Sequence, residues 1–378
     1  MFSLALLSVL VALAGVEGAL SLFPPRATFA AWREASLTYL EDEETDWRLE
    51  PRSYPWGQVN ADGFRGPRLP TDRRAGTCRV VVVGGSAAFD LWKRDGETWS
   101  DLLAERLAKA LPCEVEVLNA GTPGYSTWQA VRQLEARLLR WQPDLVLAYE
   151  LYNDSLTFRH ADRARIVAGW RLNGRANAIG WAAHPNAALD AGAALFPRTV
   201  DLLRMRLVRL EAERTLTANA RFWWDPTLSG TLQPAGFALY EEDLRRMARV
   251  LRERGNVPLG IVTQATLIRE SNTDEERGRI HYLYRGLDHA KLWAGYQRAW
   301  EINRDVARTE PNVFLVEAQR GVPPSLSYFH DEVHLNAEGS ALLARVVADG
   351  VLERFPPAGG AAARSPEEHP LPRLPCLR

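Results

Sequence analysis

Ser86, Asp331 and His334 are the residues whose types and spacing suit acyl transfer. A serine hydroxyl becomes a nucleophile only when a base takes its proton, and histidine titrates near neutral pH. A carboxylate beside that histidine fixes its tautomer and stabilises the imidazolium. Asp331 and His334 stand three apart in DEVH, so Asp331 can bond one ring nitrogen while the other faces Ser86. The tetrahedral intermediate also needs donors for its oxyanion, each typically worth about 10²- to 10³-fold in rate. Candidates are the backbone N–H groups of Ser86 and Gly124 and the side-chain amide of Asn153.

The same residue types also have plainer uses. Gly84-Gly85-Ser86 suits a tight turn or an anion-cradling loop at a helix start. It matches neither GxGxxG nor the Lys-bearing phosphate loop. Gly124 alone would be a turn glycine. Asn153 and Asp154 suit a strand-end turn, and Asp154 is read as structural. His330 and His334 in HDEVH lack the Glu of HExxH and precede the expected helix, so no zinc site and no other metal or cofactor is expected. Histidines 160, 184, 281, 289 and 369 have no evident partners in sequence and are read as surface or core residues.

These residues can act together only if something brings them to one place. Five aliphatic runs supply it: CRVVVVGG (78–85), CEVEVLNAG (113–121), PDLVLAYEL (143–151), VPLGIVTQ (257–264) and NVFLVEA (312–318). Continuous rather than alternating runs predict parallel strands buried on both faces. Helical patterns at 98–111, 126–141, 235–254, 291–309 and 336–355 separate them, the last with Asn336 as N-cap. Strand alternating with helix predicts an open three-layer α/β/α sheet. In such sheets ligands bind beyond the carboxyl ends of the strands, where strand order reverses. Ser86 follows the first run, Gly124 the second, Asn153 the third, and Asp331 with His334 come after the fifth.

The four blocks, in this order, resemble the SGNH (GDSL-type) hydrolases. Ser86 lies in VVVVGGSAAF, Gly124 in NAGTPGYST, Asn153 in LYND, and Asp331 with His334 in DEVH. The match covers residues 76–151 and 236–355. It implies a flavodoxin-like five-stranded parallel sheet of order 2-1-3-4-5, and a serine esterase acting on O-acetylated glycans or small acyl esters. An envelope-polysaccharide O-acyltransferase and an idle glycan-binding scaffold are the alternatives. The plan also looks like a membrane-anchored bacterial subgroup with a GFRG-like segment and a GGS block. Gly85, Ala87 and Leu151 depart from the family pattern, Leu151 adding bulk beside Asn153.

The remaining segments set the context. The chain has 378 residues, and 46 Lys plus Arg balance 47 Asp plus Glu, which leaves no electrostatic footprint for nucleic acid. Hydrophobic residues at 46% and charged residues at 25% exclude disorder and a polytopic membrane protein. Leu4 to Phe23 carries one charge, Glu17, and predicts a membrane anchor or export signal within residues 1–25, putting the body in the periplasm or outside the cell. Residues 26–77 form an N-terminal extension, 78–355 the hydrolase-like domain with a cap inserted at 155–234, and 356–378 a disordered tail. Trp170, Trp181, Trp223 and Trp224 of the insertion are read as packing rather than sugar-stacking residues. Cys78 and Cys113 each precede by two the valine that opens a run, so pairing of those runs predicts a disulfide between them. Such a bridge also argues for an extracytoplasmic body. Cys376 is solitary.

Overall fold

The computed structural model describes residues 2–25, 27–177, 186–357, 371–372 and 374. Two antiparallel hairpins come first: β1 (Tyr39–Asp42) with β2 (Asp46–Leu49), and β3 (Arg52–Tyr54) with β4 (Gly57–Val59). The central sheet follows, with β5 (Thr77–Gly84), β6 (Glu114–Asn119), β7 (Leu145–Tyr149), β8 (Leu259–Val262) and β9 (Val313–Val316). All four pairings are parallel and the order is β6-β5-β7-β8-β9. This is the expected 2-1-3-4-5 sheet.

Side chains alternate across a strand, so the Val run of β5 feeds both faces. Val81 and Val83 enter one core with Leu134, Leu244, Met247 and Ala299, from the helices Thr127–Ala136, Pro234–Glu253 and His289–Thr309. Cys78, Val80 and Val82 enter a second core with Leu103, Leu107, Leu343 and Val347, from the helices Trp99–Ala110 and Ala337–Arg354. A strand buried on both sides favours apolar residues at every position, and the one charge in β5, buried Arg79, is paired with Glu116 at 2.6 Å. Helix starts follow capping chemistry: Thr98 and Asp101 form a capping box, and the Asn336 side chain accepts from the Gly339 N–H.

The parallel register brings all five carboxyl ends to one edge. Order reverses at β5, whose neighbours β6 and β7 run off in opposite directions, and the loops after these three strands share the crevice.

One expectation is corrected. Cys78 pairs in register with Val115 rather than Cys113, and no bridge joins the two cysteines. Cys113 therefore lies two residues behind, roughly 7 Å along the neighbouring strand. Combined with the interstrand spacing, that exceeds the usual Cα separation of a disulfide. Among the described residues, no helix is long and apolar enough to cross a membrane. The segment expected to anchor the chain is helical over Phe2–Leu22, and its Glu17 carboxylate accepts from the N–H groups of Arg198 and Thr199 at the start of the helix Pro197–Trp223. Most of residues 356–378 lies outside the described residues, Cys376 included, but Leu374 is 1% exposed and packs in the second core.

The insertion contains the helices Arg163–Asn177, Ala187–Leu195 and Pro197–Trp223. Trp170 and Trp223 are buried in a cluster with Leu156, Ile166 and Leu239, and Trp170 stacks on Trp128. Trp224 is half-exposed, and Trp181 and His184 lie outside the described residues.

Candidate active site

The turn after β5 sets the nucleophile. Gly84 has φ +150°, and a Cβ there would lie 2.4 Å from the Tyr149 carbonyl oxygen, so a side chain is sterically excluded. A Cβ on Gly85 would fall 2.8 Å from both Asn153 Nδ2 and the Tyr125 carbonyl oxygen. The loops after β6 and β7 thus press against the residue before Ser86. Ser86 opens the short helix Ser86–Phe89. Asn119, at the end of β6, donates to the Ala88 carbonyl and the Ser100 hydroxyl, which fastens that helix to the sheet.

His334 Nε2 lies 2.8 Å from Ser86 Oγ, and His334 Nδ1 lies 2.7 Å from Asp331 Oδ2. The other carboxylate oxygen of Asp331 accepts from the backbone N–H groups of Val333 (2.9 Å) and His334 (2.8 Å). Burial pushes the Asp331 carboxyl upward, but His334 and these N–H groups outweigh it and hold it below the ordinary aspartate value. The carboxylate is therefore ionised at neutral pH.

Asn153 Nδ2 donates to the Tyr125 carbonyl oxygen at 2.6 Å, which uses one of its two N–H bonds. Gly124, just before Tyr125, has φ +88°, so the loop after β6 needs a residue that tolerates left-handed backbone. Asp154 is buried and accepts from the Thr127 N–H and hydroxyl. Burial raises its carboxyl to about 7. Leu151 is buried among the Val81 and Val83 core, so its bulk goes into the helix layer rather than beside Asn153. Among the described residues, no group of three His, Cys, Asp or Glu side chains is placed to hold a metal ion.

Four contributors were not singled out from sequence. Glu332, between Asp331 and His334, is fully buried and pairs with fully buried Arg285 at 3.3 Å. Its carboxylate also accepts from the Tyr152 hydroxyl (2.9 Å) and contacts His281 Nδ1 (2.8 Å). Arg285 lies over the Tyr152 ring and donates to Ser155 Oγ, tying the DEVH loop to the turn that carries Asn153. Burial raises the Glu332 carboxyl, yet His281 and Arg285 outweigh it and the net direction is down. The position of Glu332 inside DEVH was the available signal, but its partner Arg285 is 47 positions away in sequence.

The N-terminal extension braces the same loops. Trp47 Nε1 donates to the Pro123 carbonyl at 3.2 Å, and its ring meets Tyr125 edge-on. Arg65, from NADGFRG, is buried and donates to the carbonyls of Phe89 (3.0 Å) and Asp90 (2.9 Å), just past the nucleophile helix.

No protein-family model and no curated protein matches the sequence. Solved structures do. A protein described as a GDSL-like lipase, from Parabacteroides merdae, aligns at 16% identity over 72% of this chain and 94% of its own, with TM-score 0.44. An acetylxylan esterase from Geobacillus stearothermophilus aligns at 12% identity over 78% of this chain and 100% of its own, with TM-score 0.43. A lipase/acylhydrolase from Enterococcus faecalis aligns at 15% identity over 76% and 100%, with TM-score 0.40.

Proposed function

We propose that the chain is a serine esterase with Ser86 as nucleophile. The observation that carries this reading is the unbroken line of contacts from Asp331 through His334 to Ser86, at 2.7 and 2.8 Å. With its proton on Nδ1 and directed at Asp331, His334 offers Nε2 as the base. Ser86 Oγ attacks the ester carbonyl carbon and its proton passes to Nε2. The C–O bond to the alcohol breaks, and the departing oxygen takes that proton. Water then attacks the acyl-enzyme, His334 again accepting a proton and returning it to Ser86 Oγ as the carboxylic acid leaves.

The oxyanion formed in each half-reaction needs donors in place before it forms. The Ser86 and Gly124 N–H groups and the second N–H of Asn153 serve in this reading. The close approach of the Asn153 amide and the Tyr125 carbonyl to Gly85 supports it, because it sets their loops against the nucleophile.

Hydrolysis of p-nitrophenyl acetate by the wild type, Ser86→Ala and His334→Ala tests the reading. Each variant should lose at least about 10³-fold in kcat. Full turnover in both would overturn it.

A further inference from the structure

Among the described residues, Trp92 is a large, mostly exposed ring that reaches the triad. Its side chain is 62% exposed, while its centroid lies 5.0 Å from the His334 ring and 5.5 Å from the His330 ring, edge-on to each. Its backbone sits at φ +64°, and Asp90, two residues earlier, at φ +61°. Left-handed backbone is uncommon for any residue with a Cβ and a genuine outlier for one as bulky as tryptophan. Strain of this kind persists only where the surroundings impose it.

Here the surroundings do impose it. Arg65 donates to the carbonyls of Phe89, Asp90 and Lys93. Lys93 Nζ donates to the Leu335 carbonyl at 2.6 Å, and Asp90 accepts from the Trp99 N–H and the Ser340 hydroxyl. Two buried cations and a buried carboxyl thus hold a strained loop, and what it presents is a largely exposed indole beside the catalytic imidazole. Packing does not explain this, since the ring gains little burial.

From this geometry we infer that Trp92 is the platform on which the substrate's pyranose ring stacks, so that the ester on that ring reaches Ser86. The inference rests on the esterase reading and adds to it a residue that selects for a sugar ring on the ester. An indole face attracts weakly positive C–H edges through its quadrupole, and a pyranose offers such C–H bonds on one face and hydroxyls around its rim. The surroundings suit that shape. His330 is exposed on the same side, and Tyr152 flanks His334 at 6.2 Å. Asp331 is engaged by His334 and Glu332 by Arg285, so neither carboxylate offers a free charge to the ligand.

The test compares two acetate esters, a mono-O-acetylated methyl glucopyranoside and ringless vinyl acetate, on the full-length wild type, Trp92→Ala, Trp92→Tyr and Ser86→Ala. Trp92→Ala should lower kcat/KM for the sugar ester about tenfold or more beyond its effect on vinyl acetate, mainly through KM. Trp92→Tyr, which keeps a ring face, should recover most of that selectivity. Equal loss on both esters means that Trp92 only positions His334, and no loss on either means that it is idle; both results overturn the inference while leaving the esterase reading standing. Turnover of both esters by Ser86→Ala would instead remove the esterase reading itself.

Discussion

Glu332 occupies the position in the DEVH loop where sequence gives least warning of consequence. Asp331, His334 and Ser86 were legible because a hydroxyl, an imidazole and a carboxylate have few other joint uses, and because each follows a strand-like run. Glu332 was not, because its role depends on Arg285, which only the fold brings near. His281, read from sequence as partnerless, bonds the same carboxylate and is raised by that bond. An ion pair with both side chains fully buried is costly to break from one side, because the remaining charge loses its compensation. Arg285→Met should therefore lower the unfolding free energy by about 3–5 kcal/mol in urea titration. A loss below about 1 kcal/mol would show that Tyr152 and His281 suffice to hold Glu332.

The elements divide differently. Strands and helices of the sheet domain fall within a few residues of their expected ends, since patterns buried on two faces or amphipathic at helical period are strong signals. Register was not legible. A two-residue offset between β5 and β6 decides the cysteine pairing, and nothing in the two runs encodes it. The hairpins of residues 39–59 also escaped notice, because strands of three or four residues leave too short a pattern. The insertion was recognised by length alone, and burial of His160 at its start was not legible. That ring is 6% exposed against Trp223, its Nε2 has no partner, and burial, with Arg159 and Arg165 nearby, pushes its pKa down to about 4. The neutral form is the one that folding favours, so the stabilisation is whole above the unfolded value near 6.5 and declines as pH falls towards about 4. The decline should be on the order of 3 kcal/mol across that window. Because buried carboxyls such as Asp154 titrate in the same window with the opposite sign, the readout is the difference between proteins: from pH 7 to pH 4.5 the wild type should lose stability relative to His160→Phe in denaturant unfolding, and an equal pH dependence in the two would contradict the assignment.

At the scale of the whole molecule, the site is a consequence of topology. A parallel sheet sends every carboxyl end to one edge, and the reversal at β5 opens the space where the loops after β5, β6 and β7 meet the segment after β9. The N-terminal extension, which sequence left without a role, braces this edge through Trp47 and Arg65. Convergence of Ser86 and His334, 248 positions apart in sequence, is therefore the claim on which the rest depends. The most direct measurement is labelling by a fluorophosphonate probe, which reacts with a serine only when a base activates it, followed by peptide mass spectrometry. One label on Ser86 in the wild type, and its disappearance in His334→Ala, is the result expected. A wild type that takes no label, or takes it on another residue, would contradict the account.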